Sequence, residues 1–395
     1  MAESFDTVVV GAGVVGASTA FHLAKWGGRK ICIVDRGPVC GGGTAKSCAI
    51  VRTHYSVPAN TALAVDSIRM FENFADWLHD GDAECGFVNT GYLIVVPEGE
   101  FAEKLKVNLV MQAGTGANTY PIPAEEALER HPLLDLDGIA VIGYEPESGY
   151  ADPYLTTMSF INAGRRLGVT VKTDCPVDGL LTSGGKVTGV RTNTGDIHAG
   201  TVVSAIGPWT RTLTDSIGLD IPMEVSRHIV LTFRGPAPYE STFPVVKDLA
   251  TGNKMYFRAA SGGDVLVGTG DHGDPVSGPD AMDENVPDDF VALQGGQLAR
   301  RMPSFADCAP TANWVGPYDI TPDWNPVLGP APGIDGLVLA FGFSGHGFKL
   351  APAVGSELAK SILDTTPSIP LAPYRLSRFD EGALLTGAYG IGSIS

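Results

Sequence analysis

Basic side chains are scarce in this chain of 395 residues: 27 Lys and Arg stand against 44 Asp and Glu, a formal net charge of -17. Nucleic acid and anionic lipid both select basic surface, so neither is an expected partner, and the acidity reads as a solubilising exterior. Long apolar runs are also missing. No stretch of eighteen apolar residues occurs, so no membrane span is expected. A first strand beginning about six residues in leaves no room for a signal peptide, which makes a cytoplasmic location the expectation. The six cysteines, at 32, 40, 48, 85, 175 and 308, show neither C-x-x-C pairs nor Cys/His ligand spacing. Reduced thiols and no metal site follow as the default. No internal repeat is present. At 44% hydrophobic the chain can bury large cores, and its length suggests two or three domains.

The most informative stretch is Asp6 to Asp35. Thr7 to Val10 is a short β-branched run fit for a buried parallel strand, and it ends on Gly11, Gly13 and Gly16 in G-x-G-x-x-G spacing. Val14 to Trp26 follows with helical apolar spacing, Ile31 to Val34 supplies a second strand, and Asp35 closes the unit. The glycines alone are a weak signal. Strand, loop, helix, strand and terminal acid in order form a complete dinucleotide fingerprint. Gly11 allows the tight turn, Gly13 lets backbone approach a pyrophosphate, and Gly16 brings helix and strand together, with Val14 and Val15 opening the helix. Asp35 at the strand end suits an unphosphorylated ribose and argues against NADP, but does not separate NAD from FAD.

After Asp35 and Arg36 comes a glycine-rich loop with Gly43, Thr44 and Ser47, then Ile50-Val51-Arg52 with Tyr55. This order resembles the FAD-dependent amino acid oxidoreductases of the D-amino acid oxidase and sarcosine oxidase group, most closely their sarcosine oxidase-like branch. Three later stretches carry the same resemblance. Val202 to Trp209, with Ala205 and Gly207, resembles the segment in which the family's chain returns beside the cofactor. Met255-Tyr256-Phe257-Arg258 and Val265 to Gly268 resemble its Y-x-R and L-x-V-G hairpin. Thr321-Pro322-Asp323 and the run Gly342 to Lys349 resemble its T-P-D and G-F-S-G-H-G-F-K signatures. In that run a strand meets a glycine-rich loop, with Gly342, Gly345, Gly347 and Phe348, and then a helix N-terminus. Such an end suits the anionic side of a reduced flavin and favours FAD over NAD.

The resemblance covers about residues 5 to 380. It implies an α/β plus α+β fold, with a Rossmann-like FAD-binding domain (1–80, 146–221 and 322–395) and a substrate domain on an antiparallel or mixed sheet (81–145 and 222–321). It implies oxidation of a C–N bond next to a carboxylate, with oxygen or another electron acceptor. Arg52 and Lys349 fall where the substrate carboxylate is held, and His346 falls in the loop beside the flavin. By strand alternation Tyr256 and Arg258 point to one side, either toward substrate or as a half-buried aromatic and a solvated charge. Tyr256 and His54 are weak candidates for a base.

Departures from the family bear on the chemistry. Gly316 and Ser47 stand where relatives attach flavin through cysteine or histidine, so FAD is expected to be non-covalent. Ala49 replaces an arginine, and Leu266 or Val267 replaces the lysine that assists reaction with oxygen. Slow reoxidation by air is therefore expected. The reading is hydride transfer from the carbon beside a neutral amine, that of a small secondary or N-methyl amino acid, followed by imine hydrolysis. A 2-hydroxy acid dehydrogenase, or the flavin-carrying subunit of a hetero-oligomer, are the alternatives. A homo-oligomer is also open. The tail to Ser395 is expected to be mobile or used in assembly.

Overall fold

The computed structural model describes residues 3–270 and 273–392. One sheet is organised around the strand Glu3–Val10, which pairs in parallel with Ile31–Val34 on one side and Gly195–Ser204 on the other. Thr170–Lys172 and Leu337–Phe341 extend the parallel core outward. Val327–Pro330 and the hairpin Val177–Ser183/Lys186–Thr192 add antiparallel strands. All four residues of Ile31–Val34 are buried, as expected of a parallel strand covered on both faces. One face carries the helices Val14–Lys25, Pro153–Arg166 and Gly347–Ile362, with Phe21, Phe160 and Val354 in a common core. The first and last of these approach closely because Gly355 has no side chain: a Cβ there would lie 2.3 Å from Ser18 Oγ.

The second sheet draws its strands from 92–145 and 224–320. Its pairs are antiparallel except where Val245–Asp248 lies parallel to Tyr92–Val96. That junction of two distant segments makes the sheet mixed. Its outer face packs on the helix Asp288–Arg301 through Leu298, and the buried ion pair Arg301 Nε to Asp248 Oδ2 at 2.8 Å pins the helix there. Breaking such a pair by removing one partner costs about 3–5 kcal/mol. The inner face looks toward the first sheet, and a small sheet of Ile50–Val51, Gly149–Tyr150 and Val88–Asn89 links the two bodies.

Two local expectations change. Leu63, Ile68, Phe71, Phe74 and Leu78 stand at roughly helical spacing, which predicts one helix from Pro58 to His79; the structure has two, Pro58–Glu72 and Phe74–Leu78. Asn73 breaks it: its side-chain amide donates to the Arg69 carbonyl at 2.9 Å, a local bond that competes with the helix. The tail, as far as Gly392, folds back rather than standing free. Leu385 N–H donates to Asp323 Oδ2, and Tyr389 is buried beside Leu109 of the helix Glu100–Gly114. Its last three residues lie outside the described ones. No helix among the described residues is long and apolar enough to cross a membrane.

Candidate active site

Both sheets line one cavity of about 500 Å³. On the first sheet's side it begins at the glycine loop. Gly11 has φ +111°, and a Cβ on it would lie 2.4 Å from the Ala205 carbonyl oxygen; a Cβ on Gly16 would lie 2.0 Å from the Gly11 oxygen. No side chain caps the helix that starts at Val14. The Thr44 hydroxyl accepts from Val14 N–H at 3.2 Å. Asp35 Oδ2 and Oδ1 accept from Ala12 and Gly37 N–H at 2.7 and 2.9 Å, which fixes the carboxylate at the strand end. Arg36 lies over the Trp209 ring at 4.4 Å, and both side chains donate to Asp280.

A second uncapped helix N-terminus meets the same cavity, that of Gly347–Ile362. The loop before it is held by Asp319, whose Oδ2 accepts from Gly342 N–H at 2.6 Å. Burial pushes the Asp319 carboxyl up to about 6 despite the backbone N–H groups around it. His346 occupies the N-cap position without a side-chain capping bond and meets the Tyr55 ring edge-on at 5.2 Å, while the Arg52 guanidinium lies over the same ring at 4.6 Å. The acid of T-P-D stands apart from the cavity. Asp323 forms a fully buried pair with Arg378, at 2.8 Å, that clamps the closing segment.

On the second sheet's side the register places Ile94, Lys247, Tyr256 and Gly268 in one row across four strands. Gly268 makes room for its neighbour, since a Cβ there would meet Tyr256 Oη at 2.2 Å. The Tyr256 hydroxyl sits 2.9 Å from both Cys48 Sγ and His228 Nε2. Burial pushes this phenol well above its ordinary value and brings His228 down to about 3. Tyr256 therefore stays protonated, as a hydrogen-bonding wall rather than a base. Arg258 Nε donates to the Cys48 carbonyl, so tyrosine and arginine do face one side, and the arginine is half-buried and hydrogen-bonded rather than free in solvent. His54 lies 3.5 Å from Glu145 Oε1 and 3.2 Å from the Tyr389 hydroxyl. Burial lowers its proton affinity, opposed by the bond to Glu145.

Three cations converge here. Arg52, Lys247 and Lys349 are all less than 10% exposed, and all line the cavity. Arg52 Nη1 is buried without a hydrogen-bond partner among the described residues. Burial, then the charge of Arg52, lowers the proton affinity of both lysines, that of Lys247 to about 7.

The model of the family described as FAD dependent oxidoreductase matches residues 6–361. The chain belongs to that family. Among its relatives, the sarcosine oxidase subunit beta of Arthrobacter sp is 26% identical, over 97% of this chain and 93% of that one. The mitochondrial dimethylglycine dehydrogenase of Rattus norvegicus is 28% identical over 95% of this chain but 45% of that longer protein. The crystal structure of L-proline dehydrogenase from P. horikoshii superposes with a TM-score of 0.89 at 27% identity, covering 97% of this chain and all of that one.

The chain is thus an FAD-dependent oxidoreductase, and its cavity fits the cofactor. Two helix N-termini without a capping bond from their N-cap residues face one space, the first beside Gly11 and Gly16, where added Cβ atoms would collide with backbone. Of the residues expected to hold FAD, all but two line the cavity. Gly16 lies beneath the loop, against the Gly11 carbonyl, and Gly342 packs on Thr321. Each shapes backbone without facing the space. Sequence reasoning missed Lys247, Cys48, His228 and Glu145. For Lys247 a signal was present, a Lys-Asp pair inside the otherwise apolar stretch Phe243 to Ala250. It also alters the expectation about oxygen. Leu266 packs on Cys48 and Val230 without charge, and Arg258 is spent on Cys48, but Lys247 brings a cation to the same cavity from two strands away. Slow reoxidation no longer follows from the residues.

Proposed function

We propose that the chain oxidises the C–N bond of a small secondary or N-methyl amino acid. The observation that carries this is the buried Arg52 guanidinium, with Nη1 unpartnered, beside Lys349 at the second helix N-terminus. Arg52 offers parallel N–H donors to a carboxylate, and Lys349 adds a point charge. Together they anchor the acid group and so orient the neighbouring carbon. The bound flavin supplies acceptance of a hydride from that carbon. Gly11, Gly13 and the Val14 helix would hold its diphosphate, Asp35 a ribose, and the Gly345–Lys349 loop its ring.

Glu145 does not line the cavity, and its Oε2 is bonded by Thr53 N–H and the Ser148 hydroxyl, so it is not placed to stabilise a substrate ammonium. The cationic cavity itself favours the neutral amine, the form that can lose hydride. FAD is held without a covalent bond. Gly316 and Ser47 offer no attachment, and burial holds the Cys48 thiol, bonded to Tyr256, above its ordinary value. Anaerobic mixing of holoenzyme with a panel of N-methyl, cyclic and primary amino acids tests this: at least one should bleach the flavin spectrum. Bleaching by 2-hydroxy acids alone would refute it. The Arthrobacter relative is by name a subunit, which supports a second reading as part of a hetero-oligomer; full turnover by the isolated chain would oppose it.

A further inference from the structure

Lys247 is surplus to the recognition of one carboxylate. It lies within the strand Val245–Asp248, where alternation sends Val246 and Asp248 to the outer face and Asp248 is consumed by Arg301. Lys247 is thereby committed to the cavity, at 6% exposure. Among the described residues its only hydrogen bond is from Nζ to the Lys254 carbonyl at 2.7 Å, and Nζ lies over the Tyr256 ring, 5.2 Å from the centroid. The acids nearby face other groups: Glu145 accepts from Thr53 and Ser148 at Oε2 and has His54 3.5 Å from Oε1, and Asp319 holds the Gly342 loop. Arg52 and Lys254 repel a proton at Lys247; the adjacent Asp248, which attracts it, is paired with Arg301 on the other side of the strand. An ammonium buried beside like charges with no acid bonded to it is costly, and methionine or leucine would fill the same place at no electrostatic cost. A ligand with one negative charge is satisfied by Arg52 and Lys349 and leaves Lys247 unpaired.

We propose that Lys247 receives a second carboxylate, so that the preferred substrates are small secondary amines bearing two carboxylates, one on Arg52 and Lys349 and the other on Lys247. This rests on the reading of the cavity as a site of C–N oxidation. It makes Lys247 a specificity-determining residue, and the flavin chemistry is unchanged by it.

The test compares anaerobic flavin reduction of the holoenzyme by matched pairs: N-methylglycine against N-(carboxymethyl)glycine, and N-methylalanine against N-methylaspartate. The two-carboxylate member should be favoured in kcat/KM, mostly through KM. Lys247→Met should lower the ratio of two-carboxylate to one-carboxylate kcat/KM by roughly thirty-fold or more, the loss expected for one partner of a desolvated charge pair. Lys247→Arg should restore part of it. No preference in the native protein, or an equal loss for both members in Lys247→Met as a base would give, overturns the proposal. Should that variant not fold, malonate and acetate titrated into native holoenzyme, followed by the flavin spectrum, decide instead. Tighter binding of malonate supports the proposal and equal binding overturns it. A Lys247-dependent preference for dicarboxylates in a protein whose flavin no amine reduces would refute C–N oxidation while leaving this recognition standing.

Discussion

The two walls of the cavity are built from different materials. The first sheet offers backbone: glycines, N–H groups and two helix ends, drawn largely from continuous stretches of chain. The second offers side chains, with Lys247, Tyr256 and His228 aligned only because strands distant in sequence pair in one register. Backbone cradles tolerate no added atoms, whereas a side-chain wall can exchange one group for another and alter what binds. The cofactor wall should therefore fail by loss of fold and FAD, and the substrate wall by loss of turnover with FAD retained.

The largest effect is expected at Gly16→Ala. Its Cβ would meet a backbone oxygen 2.0 Å away, and since neither strand nor helix can yield, the cost should be about 3 kcal/mol. Thermal melting and the FAD content after purification measure it; full FAD occupancy would break the contrast between the walls.

Next, Arg52→Ala should lower kcat/KM by about thirty-fold to a few thousand-fold, with FAD retained. Lys349→Ala should lower it less, because an ammonium makes no bidentate contact. Steady-state kinetics with the best amine checks both, and loss of FAD from Arg52→Ala would show that the walls are not separable.

A third effect is on stability. Lys247 holds its proton to about pH 7 in the fold but to about 10.4 in an unfolded chain. The unfolded state thus binds more protons between those values, and apoprotein stability should rise with pH across that window, by up to about 1.4 kcal/mol per unit from this group. Chemical denaturation at pH 7.5 and 9.5 should show a steeper rise in the native protein than in Lys247→Met. Equal slopes would mean that the lysine is not desolvated.

The smallest effect belongs to Arg36→Ala. Its pair with Asp280 is half exposed on both sides, so stability should change by no more than about 1 kcal/mol. FAD affinity, followed by fluorescence of the released cofactor, should change less than tenfold. A larger loss would make the Arg36, Trp209 and Asp280 contact part of the cofactor site.

Local sequence determined the dinucleotide fingerprint, because strand, glycine loop, helix and Asp35 are contiguous; Gly16 meets the Gly11 backbone, Gly11 that of Ala205 just after the neighbouring strand, and Gly13 the Thr44 hydroxyl. It determined the glycine-rich loop before Lys349 for the same reason. Tertiary structure alone decided which charges face the substrate. Lys254 and Arg258 lie on the hairpin that sequence brings to notice, yet the register of Val245–Asp248 between Tyr92–Val96 and Tyr256–Ala259 is what turns Lys247 inward. The cluster of His54, Glu145 and Tyr389 is likewise beyond local reading, for its members are separated by 91 residues or more and meet only when the tail folds back. Strand pairing and burial are properties of the whole chain, and they also decide that Tyr256 keeps its proton while Lys247 gives its own up near neutrality.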